Sequence, residues 1–137
     1  MECFFCKLAQ GEIQTKAVYE DAHTFAFLDI HPKSKGHTLV IPKVHADSIL
    51  SLGDEEIAPL FSMVKQVTKM LEYTLCPDGF TIGINHGTSA GQEVGHIHVH
   101  IIPRWNGDKG GSIQSIVNNY SAESLDDIYE KIKKSHT

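Results

Sequence analysis

The chain has no apolar run near the roughly 20 residues that a membrane-spanning helix requires. It has no excess of positive charge: 12 Lys and Arg stand against 17 Asp and Glu, for a formal net charge of −5. Such a chain lacks the concentrated basic surface that binding to a nucleic-acid backbone needs, so no nucleic-acid partner is expected. Cysteine is scarce. Cys3, Cys6 and Cys76 are too few and too unevenly placed for a disulfide scaffold. The start, Met1 to Cys6, lacks the basic-then-apolar pattern of a signal peptide. Together these absences predict a cytoplasmic, reducing setting, where a Cys-x-x-Cys pair reads as metal-binding or redox-active. No internal repeat or low-complexity tract is present, which excludes a repeat array.

What remains is the composition of a folded protein. Hydrophobic residues make up 41% and charged residues 21% of 137 residues, which fits one domain with one core, residues 1–137. A Gly- and Asp-rich loop, Asn106 to Ser112, predicts that 106–137 is a loop plus a C-terminal helix appended to the main body. Within that body, Cys6 to Gln10 reads as a short helix ended by Gly11. Strands are predicted at Ala17–Glu20, Thr24–Asp29, Gly36–Pro42, Phe80–Asn85 and Gly95–Pro103. Ile57, Leu60, Phe61, Val64, Val67, Thr68 and Leu71 follow helical spacing and mark the main helix. Pro59 restricts its start and Cys76-Pro77-Asp78-Gly79 its end. Leu125, Ile128, Tyr129 and Ile132 suggest a final amphipathic helix. The expected fold is α+β: a five-stranded, mostly antiparallel sheet with one main helix and short flanking helices.

The most informative segment is Gly95-His96-Ile97-His98-Val99-His100-Ile101-Ile102-Pro103. Strand side chains alternate between faces. His96, His98 and His100 therefore share one face, and Ile97, Val99 and Ile101 face the core. Three imidazoles so close would repel one another if protonated, which argues for a functional site. An imidazole can attack phosphorus directly, and its neighbours can donate to the charge that develops on phosphate oxygens. Cys3-x-x-Cys6 by itself is compatible with a metal half-site, a redox pair or two buried thiols. Two nearby histidines would complete a tetrahedral S₂N₂ set suited to zinc. Cys76 has no partner at ligand spacing and is expected to be a small buried residue near a helix end.

The run His96-Ile97-His98-Val99-His100-Ile101-Ile102 resembles the signature of the histidine triad family. Similar segments lie at Phe27-Leu28-Asp29-Ile30, Gly36 through His45, and Asn85 through Gln92, so the resemblance covers residues 3 to 105. It implies that His98 attacks the α-phosphate of a nucleotide ester or amide, forming a covalent nucleotidyl-histidine that water then hydrolyses. It implies that His100 binds the phosphate and that His37 is a further active-site histidine. Phe5, Leu8, Phe27 and Ile30 would surround a purine base, Asp29 would accept from the ribose hydroxyls, and Asn85, Gly91 and Gln92 would meet the phosphate. The zinc-containing branch of the family implies a closed, structural Zn²⁺ site at Cys3, Cys6, His45 and His96. It also implies a homodimer, with the sheet extended across two chains.

Two positions bear on the substrate. Glu93 stands where many relatives carry a small hydroxyl residue that helps the leaving group. Arg104 matches relatives that cleave dinucleoside polyphosphates, where an anionic leaving group needs a cation; a solvated charge at a strand end is the alternative. Trp105 is expected at the pocket mouth or a subunit interface. The expected activity is hydrolysis of nucleoside phosphoramidates or related adenylates. The alternatives are dinucleoside polyphosphate hydrolysis and a non-catalytic nucleotide-binding module. His23, His31, His86 and His136 are expected to be surface or loop residues.

Overall fold

The computed structural model describes residues 2–135; His136 lies outside them. Helix α1 (Phe4–Ala9) is followed by strands β1 (Ala17–Glu20), β2 (Thr24–Leu28) and β3 (Thr38–Pro42). Helix α2 (Ile57–Leu75) follows, then β4 (Gly79–Gly83), β5 (Val99–Arg104) and α3 (Leu125–Lys134). The strands form one antiparallel sheet in the order β1-β2-β3-β5-β4, the α+β architecture that the residue pattern predicts.

Both faces of the sheet are covered, and this explains its composition. Every residue of β3 is buried, and all of β2 but Leu28. On one face Val40, Val99 and Ile101 pack against Leu60, Val64 and Val67 of α2 in one continuous core. On the other, Phe25, Phe27, Leu39 and Ile41 pack against Phe5 and Leu8 of α1. β5 alternates: Val99, Ile101 and Pro103 are buried, and His100, Ile102 and Arg104 are half-buried. α2 carries Pro59 in its first turn, where a missing N–H costs nothing. It ends at Cys76, which adopts a left-handed conformation (φ 51°) and bonds back to the Glu72 carbonyl.

The expectations for Cys76 and β5 need correction. Cys76 is exposed, not buried, because its role is to turn the chain out of the helix. β5 begins at Val99, four residues later than predicted. Before it, the Ile97 N–H bonds to the Ala46 carbonyl and the His96 N–H to the Val94 carbonyl, so this backbone serves a loop and not the sheet ladder. The C-terminal helix forms, capped by the Ser124 hydroxyl on the Asp127 N–H, but its apolar stripe does not join the core: Leu125, Tyr129 and Ile132 are exposed.

Ile101 has no exposure and joins the α2 core, whereas Leu125 is 86% exposed. Ile101→Ala is expected to destabilise the fold by about 2–5 kcal/mol through lost burial and a cavity. Leu125→Ala should stay within about 0.5 kcal/mol. Urea denaturation of both variants checks this; an equal loss for Leu125→Ala would mean that α3 is packed against something in solution.

Candidate active site

The three alternating histidines divide between two sites. His96 is fully buried and turns toward the Cys pair at the start of α1. His98 and His100 face a cavity of about 980 Å³, their ring centroids 5.1 Å apart. α1 carries Phe5 and Leu8 to the same cavity, β2 and the turn after it supply Phe27, Asp29 and Ile30, and the loop after β4 brings Asn85 and Gly91. Gly91 has φ +100°, a conformation that glycine adopts without strain. Phe5 stands edge-on to His98 at 5.1 Å and packs against Phe27 at 5.3 Å.

Hydrogen bonds determine the tautomer of each imidazole. His98 Nδ1 lies 2.8 Å from the His96 carbonyl, an acceptor only, so Nδ1 carries the proton and Nε2 keeps its lone pair. The Lys33 N–H donates to His37 Nδ1 at 3.1 Å, which leaves the His37 proton on Nε2. His37 Nε2 in turn donates to His100 Nδ1 at 2.9 Å. The His100 proton therefore resides on Nε2, a buried atom with no partner among the described residues. Asp29 stands 3.6 Å from His37 Nε2. The cavity thus holds an imidazole lone pair on His98 beside an unpartnered N–H on His100. That pairing suits an electrophilic centre with oxygen substituents.

The second cluster gathers Cys3, Cys6, His45 and His96, whose ligand atoms all lie within 4.8 Å of one another and could hold a metal ion. His96 Nε2 donates to the Pro42 carbonyl at 2.9 Å, freeing Nδ1, which faces Cys3 Sγ at 3.4 Å and Cys6 Sγ at 3.5 Å. His45 Nε2 bonds to Asp47 Oδ1 at 3.1 Å, freeing its Nδ1, 3.4 Å from Cys6 Sγ. Outer partners that orient both rings are what metal-binding histidines require. Burial and the neighbouring Cys3 push the Cys6 thiol up to about 11.

Two predicted substrate residues do not line the cavity. Gln92 spans two loops: its Oε1 accepts from the Gly87 N–H at 2.8 Å, and its Nε2 donates to the carbonyls of Asp47 and Val94 at 2.7 and 3.0 Å. It links the loop after β4 to the residue that orients His45. Arg104 is held by Asp108, Thr81 and the Gly111 carbonyl. In the other direction, His31, Lys33, Thr81, Ile102, Ile113 and Ile116 line the cavity without having been predicted to. For the last two, a signal was present: apolar residues three apart, just beyond a Gly-rich loop, are spaced as one face of a helical turn.

The chain is similar to known proteins over most of its length. The HIT domain family matches residues 10–107. An uncharacterized HIT-like protein of Methanocaldococcus jannaschii is 44% identical over 135 residues, covering 96% of this chain and 98% of that protein. An adenosine 5′-monophosphoramidase of Schizosaccharomyces pombe is 44% identical over 110 residues, 80% of each chain. The crystal structure of a HIT family member from Bacillus subtilis superposes with a TM-score of 0.87 at 37% identity, covering 100% of this chain and 99% of the other.

Burial, with the neighbouring His98 and His37, pushes the His100 pKa down to about 4, and burial lowers that of His37 as well. In the unfolded chain both would take protons near 6.5. Between those values the unfolded state binds more protons, so stability increases with pH through the window from about 4 to 6.5 and is lost on acidification. The melting temperature should therefore drop between pH 7 and pH 4.5, and drop less steeply in His100→Gln. Parallel curves for the two proteins would remove His100 as the source of the dependence.

Proposed function

The chain belongs to the HIT domain family, and from that premise we propose that it is a nucleotide hydrolase acting at the α-phosphate of adenosine 5′-phosphoramidates and related adenylates. One observation carries this reading: the His98 Nε2 lone pair beside the unpartnered Nε2–H of His100, at the foot of one cavity. The similarity to the Schizosaccharomyces pombe monophosphoramidase supports the same substrate class.

In this mechanism the base enters among Phe5, Leu8, Phe27 and Ile30, Asp29 accepts from the ribose hydroxyls, and Asn85 and Gly91 approach the phosphate. Gln92 acts through the loop that it braces. His98 Nε2 attacks phosphorus. The bond from phosphorus to the leaving nitrogen breaks, and that nitrogen takes a proton from solvent and departs as the amine. Through this step the Nδ1–H of His98 keeps its bond to the His96 carbonyl, which stabilises the positive ring of the nucleotidyl-histidine. The His100 N–H donates to a phosphate oxygen, held in that tautomer by His37. Water then attacks phosphorus, the bond to His98 breaks with its electron pair returning to Nε2, the proton lost by the water passes to solvent, and AMP leaves. The balance is phosphoramidate plus water giving AMP plus amine.

The dinucleoside polyphosphate alternative is less well supported. It needs a cation for its anionic leaving group, yet the Arg104 charge is paired with Asp108 and an acidic residue, Glu93, is among those lining the cavity. A non-catalytic binding module would have no use for a nucleophile with an oriented lone pair.

We further propose a structural zinc ion at Cys3, Cys6, His45 and His96. Bonds of about 2.3 Å to sulfur and 2.0–2.1 Å to nitrogen put sulfur and nitrogen about 3.5 Å apart in a tetrahedron, and the separations found are 3.4, 3.4 and 3.5 Å. With four protein ligands the ion would supply no chemistry at phosphorus; it would tie the His96 segment to α1. A homodimer is proposed as well, supported by β4 as an open sheet edge.

His98→Ala is expected to lower kcat for adenosine 5′-phosphoramidate by more than about a thousandfold. It should also abolish an AMP adduct detectable by mass spectrometry on brief mixing; turnover in His98→Ala close to wild type would overturn the mechanism. Metal analysis should find one zinc per chain, strongly reduced in Cys6→Ser, with a lower melting temperature after chelation. A folded wild-type protein free of zinc would refute that assignment.

A further inference from the structure

We infer that the segment after β5 builds a second apolar subsite in the active cavity, for an apolar or aromatic group on the leaving amine. The inference rests on the phosphoramidase reading and adds the class of leaving group. Its starting point is Arg104. The guanidinium bonds to Asp108 through both forks (Nε to Oδ2 at 2.7 Å and Nη2 to Oδ1 at 3.0 Å). Its Nη1 reaches Thr81 Oγ1 at 3.0 Å and the Gly111 carbonyl at 2.7 Å. A planar fork of this kind sets orientation as well as contact.

Asp108 completes the clamp by accepting from the N–H groups of Trp105 at 3.1 Å and Gly110 at 2.8 Å. The Arg104 guanidinium beside it holds its carboxyl well below the usual carboxylate range, so the clamp stays charged at neutral pH. A Cβ at Gly110 would collide with the guanidinium, so the chain passes as close as glycine allows. Immediately beyond, Ser112 and Ser115 cap a short 3₁₀ turn, Ile113–Ser115. That turn sets Ile113 and Ile116 at the rim of the cavity, which they line together with Ile102.

The result is an apolar wall whose position the Arg104 clamp determines. Thr81 pairs with Ile102 across β4 and β5, so the root of the strap lies at the Ile102 end of the sheet. His100 and Ile102 are about 7 Å apart along β5, whereas Phe5 and Phe27 pack at the His98 end. A base held by the aromatic residues would leave this second wall uncovered. Ile113 is 59% exposed and Ile116 74%, and among the described residues neither belongs to a core cluster. Apolar surface inside an active cavity favours an apolar ligand group over water. Glu93, an acidic residue at the same cavity, gives no attraction to an anionic one. Arg104 and Asp108 are thereby positioning residues, acting through Ile113 and Ile116.

The test compares adenosine 5′-phosphoramidate with its N-(4-phenylbutyl) derivative in wild type and in Ile113→Ser/Ile116→Ser. The ratio of kcat/KM, substituted over unsubstituted, should fall about tenfold in the double variant, through KM and not kcat. The non-hydrolysable N-(4-phenylbutyl) carbamate of adenosine should lose about tenfold in affinity by calorimetry, relative to adenosine itself. Arg104→Ala should lower the ratio in the same way, and Arg104→Lys should restore it in part. An unchanged ratio with unchanged carbamate affinity overturns the subsite, as does a change confined to oligomeric state. If wild type hydrolyses neither substrate, the phosphoramidase reading fails, and the carbamate affinities still decide whether the subsite exists.

Discussion

The arrangement depends on where His96 can go. A fully buried imidazole must satisfy both ring nitrogens, since an unpartnered buried polar atom costs on the order of 1–3 kcal/mol. His96 does so with the Pro42 carbonyl on one side and the cysteine pair on the other. Those contacts tie the end of β3 and the start of α1 to the segment entering β5. The His96 carbonyl then receives the His98 Nδ1–H. One residue thus joins the cysteine cluster by its side chain to the active cavity by its backbone, and the orientation of the proposed nucleophile follows from that of its neighbour.

The cavity also depends on keeping its imidazoles neutral. Clustered histidines in water would share protons and repel. Here burial lowers the affinity of His37 and His100 for a second proton, and each neutral ring must then be a donor at one nitrogen and an acceptor at the other. The chain from the Lys33 N–H through His37 to His100 uses that restriction: a backbone amide at one end determines which atom carries a proton at the other. A phosphate with several acceptor oxygens complements the single N–H left without a protein partner. The electrostatic preorganisation that the proposed chemistry needs is built from neutral groups, and their low-dielectric surroundings strengthen it.

The segment after β5 shows how a charge can act away from the place its sequence context suggests. Arg104 follows the triad closely enough to be read as a phosphate ligand, and a cation in the cavity would favour a polyphosphate. Asp108, four residues on, changes this. The pair forms within the chain, and the guanidinium organises the strap in place of a ligand. What reaches the cavity is apolar: Ile113 and Ile116, which composition alone would count as loop residues.

The order and type of the elements were legible in the sequence, because alternation and helical spacing report which face of each element is buried. β1 was predicted residue for residue and α2 from its first apolar position; the Cys76 turn at its end followed from local chemistry. The same alternation grouped His96, His98 and His100, and Cys-x-x-Cys spacing marked half of a metal cluster. Alternation alone could not divide the triad between two sites, because it assumes a strand, and here the strand begins only at Val99; the division was legible only through the family resemblance. Nor could the sequence show that Gln92 braces two loops 45 residues apart, or that His37 and His100 share a proton-bearing contact across 63 residues. Those outcomes depend on which backbone carbonyls and amides lie within about 3 Å once the sheet is assembled. Local pattern determines which residues face inward; only the tertiary structure decides which inward-facing polar atoms meet.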